Sequence, residues 1–459
     1  MPEYKSPGVY IEEVDRGTKP IEAVGTSVTA FLGITAYATD KTFEDGKFIS
    51  EKSVLGVPQR ITNWTEYKNI FSKWDPDKKE YLSPFVEGAY LPEAVYGYFE
   101  NGGGACYIVS LRTVEAADEA ASNIALAKGT TSRRKIAAKD GEEVQPAEAP
   151  ENQAEQAKDI KPLTKADFAG DATKQTGLMG LAAYDEVRLI VAPDVMVGYD
   201  SSDAKEKDRV INIQGAIITH CEGMKYRFAI LDTPCGLSPT EVQAWKEDTK
   251  FNSRFAALYY PWLKIAGNKL IPPSGHIAGI YNRSDSERGV HKAPANEVVR
   301  GVRDLERTLG KADQDLLNPE GINCIRAFPG RGIRVWGART LVPKDDGAWR
   351  YVNVRRLFNM IEASMDIGLQ WVVFEPNDRM LWAKVRRDVR SFLRTVWLSG
   401  ALFGSTPEEA FYVKCDDELN PPAIRDLGQL IIEVGIAPVK PAEFVIFRIS
   451  QWAGANAEA

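Results

Sequence analysis

VRLIVAP (Val187–Pro193), INIQGAIITHCEG (Ile211–Gly223) and YRFAILDTP (Tyr226–Pro234) follow one another in the middle of the chain. The first and third are apolar runs closed by a proline, the pattern of strands buried on both faces, and the stretch between them repeats its apolar residues at helical spacing. Strand, helix and strand in that order predict a right-handed parallel unit. Toward the N-terminus, SPGVYIEEV (Ser6–Val14) and VTAFLGI (Val28–Ile34) also read as strands. Toward the C-terminus, strands are expected at GIRVWGARTL (332–341), WVVFE (371–375), AFYVKC (410–415), LIIEVGIAP (430–438) and EFVIFRISQW (443–452). Val354–Leu369 reads as an amphipathic helix, and Pro376-Asn377-Asp378 caps another that runs to about Ser399. The reading is a multidomain protein of mixed α/β and α+β character.

A length of 459 residues suits several domains, and 44% hydrophobic with 26% charged residues is the usage of folded chains, which argues against disorder and fibrous repeats. Lys and Arg number 57 against 64 Asp and Glu, a net charge of −7 that fits poorly with a protein built to grip nucleic acid phosphates. The five cysteines are scattered with no C-x-x-C, which disfavours a disulfide scaffold and a zinc ribbon. Glu3, Glu12 and Glu13 stand where a signal peptide would be basic and then apolar, and the apolar stretch Val396–Phe403 is far short of a membrane span. Folding in the cytoplasm, without membrane insertion, is expected.

Between Ile108 and Asp167 there is no Phe, Trp or Tyr, and the text turns to Ala, Lys, Glu, Thr and Gln, with QPAEAPENQAEQAK near its middle. Such a segment cannot bury enough surface to offset its ordering, so a solvent-exposed insertion is expected over about 114–176.

Motifs for chemistry are missing. There is no phosphate loop, and Gly102-Gly103-Gly104 leads into a strand where a phosphate cradle needs a helix start. No nucleophile elbow occurs, and the histidines are His220, His276 and His291, with no H-x-x-x-H. His220-Cys221 lies on a helix that reads as buried, and Asp194 and Asp232, each following a strand, read as turn-forming or capping residues. No catalytic, cofactor-binding or metal-binding residue is assigned.

Two patterns remain. Chain ends are usually polar, yet Val9, Tyr10, Ile11 and Val14 at one end and Phe444, Val445, Ile446, Phe447 and Ile449 at the other read as strands. They either complete the protein's own sheets or are donated to a neighbour through main-chain hydrogen bonds. In the helix after Asp378, Leu381, Val385, Val389, Phe392 and Val396 form an apolar stripe while Arg387, Arg390 and Arg394 project from the opposite face. That basic face is either solvated or paired with an acidic protein partner.

Six stretches together resemble the sheath proteins of contractile tails, as in contractile phages, pyocins and phage-tail-like injection particles. They are YKSPGVYIEEV (4–14), IEAVGTSVTAFLG (21–33), YFENGGGACYIV (98–109), IPPSGHIAGIYNRSDSERGVHKAPANE (271–297), LNPEGINCIRAFPGRGIRVWGARTL (317–341) and IIEVGIAPVKPAEFVIFRISQ (431–451). The resemblance implies a tail-sheath fold with an N-terminal strand-donating arm (1–20), an outer portion (21–325) carrying the insertion, an inner C-terminal α+β domain (326–440) and a C-terminal arm (441–459).

It also implies a function. Stacked hexameric rings would surround an inner tube and contract to drive it through a target envelope, with no enzyme activity and no cofactor. The implied partners are further copies of the chain, an inner tail tube protein, baseplate and tail terminator or cap proteins, and other sheath isoforms where they share the tube, with no direct nucleic acid contact. Because the family places its C-terminal domain innermost, Arg387, Arg390 and Arg394 are expected to face the tube. A static tube or shell protein, or a cytosolic α/β hydrolase, is the alternative.

Overall fold

Six parallel strands at the centre of a sheet need apolar side chains on both faces, and this chain supplies them. The computed structural model describes residues 20–44, 47–114, 160–446 and 448. Val9, Tyr10, Ile11, Val14, Phe447, Ile449 and residues 115–159 of the insertion lie outside them. The central sheet contains β1 (Thr29–Thr35), β2 (Gln59–Ile61), β3 (Cys106–Thr113), β4 (Leu189–Val191), β5 (Phe228–Asp232), β6 (Ala256–Tyr260), β7 (Ile322–Phe328) and β8 (Gly332–Val335). Their spatial order is β8-β7-β6-β5-β4-β1-β3-β2. The six inner strands are parallel and one antiparallel strand closes each edge.

Period-two alternation divides β1 between two cores. Ala30, Leu32 and Ile34 enter one, together with Val210, Ile213, Ile217 and Cys221 of helix α2 (Ala204–Met224). Phe31 enters the other, with Leu91, Ala94, Val95 and Tyr98 of α1 (Leu91–Glu100) and Ile277, Ala278, Ile280 and Tyr281 of α3 (Ser274–Arg288). Helices thus cover both faces, the doubly covered arrangement that parallel sheets require. The α1–α3 crossing depends on glycine, because a Cβ on Gly275 would lie 2.4 Å from the Ala94 carbonyl oxygen and one on Gly279 2.4 Å from that of Tyr98.

The described residues form two compact units, one of those in 25–360 and from 439 onward, the other of those in 361–438 and 20–24. Residues 326–360, expected with the C-terminal domain, belong instead to the larger unit, because β7 and β8 zip together in its sheet from Ile325↔Val335 to Phe328↔Gly332. The far end of the expected insertion is also structured. Leu163 and Phe168 are fully buried in the first core, and Thr164 caps the short helix Lys165–Ala169 in a capping box with Asp167.

In the smaller unit, α4 (Val352–Gly368) contributes its C-terminal part, and α5 (Arg379–Leu398) starts at Asp378, whose carboxylate accepts the Leu381 N–H at 2.8 Å. Trp371–Glu375 is not a strand: Gln370–Val372 is a single 3₁₀ turn, and Phe374 follows with φ +69° and a fully exposed ring. Strands β9 (Phe411–Lys414) and β10 (Glu433–Ile436) pair antiparallel, from Phe411↔Ile436 to Lys414↔Glu433. No strand is formed by Glu443–Ile446 within the subunit. Among the described residues no helix is long and apolar enough to cross a membrane.

Candidate interaction surfaces

Open α/β sheets bind ligands where the strand order reverses, outside the carboxyl ends of the strands. Here that point lies between β1 and β4, and the chain fills it with its own carboxylate. Asp194, just past β4, is fully buried; Oδ2 accepts the Ile34 N–H at 2.6 Å, and Oδ1 accepts the N–H groups of Tyr90 at 2.6 Å and Leu91 at 3.2 Å. The N-terminus of α1, the kind of site that elsewhere holds an anion, is therefore spent on Asp194. Burial pushes this carboxyl up to about 7, although the Ile34 and Tyr90 N–H groups pull it down. Asp232 does the same for α3, accepting the Ser274 N–H at 2.8 Å and its hydroxyl at 2.5 Å.

His220 and Cys221 are likewise structural. Cys221 packs in the first core, and His220 Nε2 lies 2.7 Å from Arg227 Nη1, whose other nitrogen donates to the carbonyls of Leu181 and Tyr184. Burial and the Arg227 charge hold His220 down to about 4. Among the described residues no group of three His, Cys, Asp or Glu side chains could hold a metal.

The basic stripe is real as geometry. Leu381, Trp382, Val385, Val389, Phe392, Leu393 and Val396 bury one face of α5, and Arg387, Arg390 and Arg394 are exposed on the other. Arg387 leans on the adjacent Asp388 at 3.0 Å, whereas no described residue forms an ion pair with Arg390 or Arg394. Arg379, by contrast, pairs with Asp417 at 3.0 Å. Reading the charges alone misses that exposed Met380 and Leu398 lie on the arginine side of the helix, giving it apolar ends.

The second surface is the β9–β10 ladder. Phe411 and Val413 point inward while Tyr412 is exposed, its hydroxyl donating to Glu433 at 2.7 Å. A Cβ on Gly435 would come within 2.1 Å of the Tyr412 ring, so glycine lets that ring lie across the partner strand. Neither outer edge pairs with another described strand, and just past β10 Leu402 bridges Pro438 and the Phe403 N–H donates to the Ala437 carbonyl at 2.8 Å. Two-stranded ribbons are marginal alone and their free N–H and C=O groups invite a further strand. Of the expected C-terminal arm, Phe444, Val445 and Ile446 are 71%, 71% and 80% exposed.

Comparison with known proteins places the chain in one family. The phage tail sheath protein central domain matches residues 172–341 and the phage tail sheath C-terminal domain residues 344–451, together more than half of the chain. The chain belongs to the phage tail sheath family. It is 26% identical over 328 residues to a putative prophage major tail sheath protein of Pseudomonas aeruginosa, covering 67% of this chain and 76% of that one. Identity to the tail sheath protein of Vibrio phage KVP40 is 26% over 218 residues, 46% of this chain, and the match spans 31% of the phage protein. Over 99% of both chains, the protein also shares the fold of the sheath of an extracellular contractile injection system (PVC) in its contracted state, with a TM-score of 0.65 and 29% identity.

Proposed function

We propose that this protein is the structural subunit of a contractile sheath that polymerises as stacked hexameric rings around an inner tube and shortens to drive the tube through a target envelope. The observation that carries the reading is the end-to-end correspondence with a sheath in its contracted state, at an identity above chance fold likeness. The work needs no catalysis: the energy resides in an extended lattice relaxing to a shorter, wider one, and the switch-point crevice is closed by Asp194.

In this reading the arms knit the lattice. Phe444, Val445, Ile446, Phe447 and Ile449, and Val9, Tyr10, Ile11 and Val14, add strands to neighbouring copies, and the open β9–β10 ladder is a slot of the right kind for them. Arg387, Arg390 and Arg394 face an acidic outer surface of the tube, where many weak contacts sum along its length. Baseplate and terminator or cap proteins close the two ends, and assembly takes place in the cytoplasm. Negative-stain microscopy of the purified protein tests this reading: striated hollow tubes are expected, and dispersed particles at every concentration would overturn it.

A further inference from the structure

Just before its exposed end the chain is tied down. Asn353 Nδ2 donates to the Val439 carbonyl at 3.2 Å, and Lys440 Nζ to that of Gly347 at 2.9 Å. Glu443 then takes four hydrogen bonds: Oε1 accepts from Asn318 Nδ2 at 2.7 Å and Arg339 Nε at 2.9 Å, and Oε2 from Arg339 Nη2 at 2.7 Å and the Tyr351 hydroxyl at 2.8 Å.

The donors are themselves fixed to the sheet. Arg339 Nη1 donates to the Asn318 carbonyl at 3.1 Å and its backbone N–H to Asn323 Oδ1 at 2.7 Å. Asn323 sits in β7 and donates to the Leu258 carbonyl of β6 at 3.1 Å, so a chain of directed bonds leads from Glu443 to two adjacent parallel strands. A two-pronged guanidinium–carboxylate pair has a defined direction as well as strength. The next residue, Phe444, is the first of the exposed triad. A carboxylate with every acceptor position engaged is thus followed at once by strand-forming side chains with little contact in their own subunit.

We infer that Glu443 is the anchor of the C-terminal arm, fixing its origin on the larger unit so that a second copy of the chain, pulling on Phe444–Ile446, loads the eight-stranded sheet through Arg339, Asn318 and Tyr351. The inference rests on the proposed donation of the arm. A fixed origin keeps the arm at high effective concentration for its slot, and releasing the segment from Val439 onward lengthens the tether and lowers it.

The test compares tubes of the full-length wild type with those of Glu443→Ala, Glu443→Gln and a deletion of 444–459. Thermal unfolding of the unassembled subunits serves as the fold control. The deletion is expected to give folded subunits and no tubes. Glu443→Ala is expected to give about tenfold fewer full-length tubes, with fragments after contraction, at that loss of effective concentration. Glu443→Gln, which keeps an acceptor for Arg339, should fall between Glu443→Ala and wild type. Tyr351→Phe removes a single hydroxyl and should weaken tubes in the same direction; it carries the test if Glu443→Ala subunits unfold. If the deletion abolishes tubes while the Glu443 and Tyr351 variants assemble and contract like wild type, the anchor is refuted and donation stands. If the deletion assembles normally, donation itself fails.

Discussion

Asp194 Oδ2 lies 2.6 Å from the backbone nitrogen of Ile34, across the place where the strand order of the sheet reverses. The contact is possible because the residue before is glycine: a Cβ on Gly33 would sit 2.3 Å from that oxygen and 3.1 Å from the Leu91 Cβ. One carboxylate therefore joins β1, β4 and the start of α1, and it fills a crevice that an enzyme of this topology would keep open.

Gly33→Ala should destabilise the subunit by about 1–3 kcal/mol through overpacking. Asp194→Asn should cost a similar ~1–3 kcal/mol, because both oxygens face N–H donors and an amide nitrogen leaves one donor unpaired at the Oδ2 position or two at the Oδ1 position. Denaturant unfolding of the unassembled protein measures both, and wild-type midpoints would show that the crevice is not held in this way.

Asp232 predicts a pH dependence of defined sign. Burial pushes its carboxyl up to about 7 from an ordinary 3.8, although Ser274 pulls it down. The folded state therefore binds the proton more tightly, and the associated stability is fully present below about pH 3.8 and lost as pH rises through about 7. His220 and His276, held down to about 4 by burial, act in the opposite sense below pH 6.5, so the readout is a difference between two proteins. The Ser274 hydroxyl can turn to accept from an amide, so Asp232→Asn mimics the protonated acid. The variant should gain on wild type from pH 5 to about pH 7 and level off above that in thermal unfolding, and parallel profiles would contradict the assignment.

Phe374 holds φ +69° while burying none of its ring. The left-handed region costs an L-residue about 1–2 kcal/mol, and glycine gives back part of that gain through unfolded-state entropy. Phe374→Gly should therefore stabilise the unassembled subunit by about 0.5–1 kcal/mol. Chemical denaturation with an unchanged or lower midpoint would show that the loop is held by something else.

The same loop shows where reading the sequence fails. Trp371–Glu375 is apolar, aromatic and β-branched, hence strand-like, but that signal records composition and not which residues face solvent. The runs at Leu189–Val191 and Phe228–Asp232 were legible because strands covered on both faces need unbroken apolar text, with little else to confuse it. The arginine face of α5 was legible for a similar reason, since a helix brings residues three and four apart together without any help from tertiary structure. Glu443 carried no such signal: its partners lie 92 to 125 positions away, and in the sequence it is only a polar start to an apolar strand. The role of Asp194 was half legible, as a residue that pins backbone at a strand end, but the donors from Tyr90 and Leu91 come from a helix about a hundred positions earlier.

Arg387, Arg390 and Arg394 form the proposed contact with the tube. Replacing all three with Glu should prevent extended sheath from forming on the tube, while subunits still polymerise into empty, contracted sheath, because the arms proposed to join the subunits are untouched. High salt during wild-type assembly should act in the same direction through screening. Normal numbers of extended particles from the triple variant would make this face a solvated one.

The central claim is contraction, and the length and diameter of single assembled tubes test it most directly. Electron microscopy of the protein assembled with its inner tube, before and after a contraction trigger, should show two states, the second shorter and wider with the tube protruding. One length and one diameter under every condition that leaves the tubes intact would contradict the account and leave a static tube in its place.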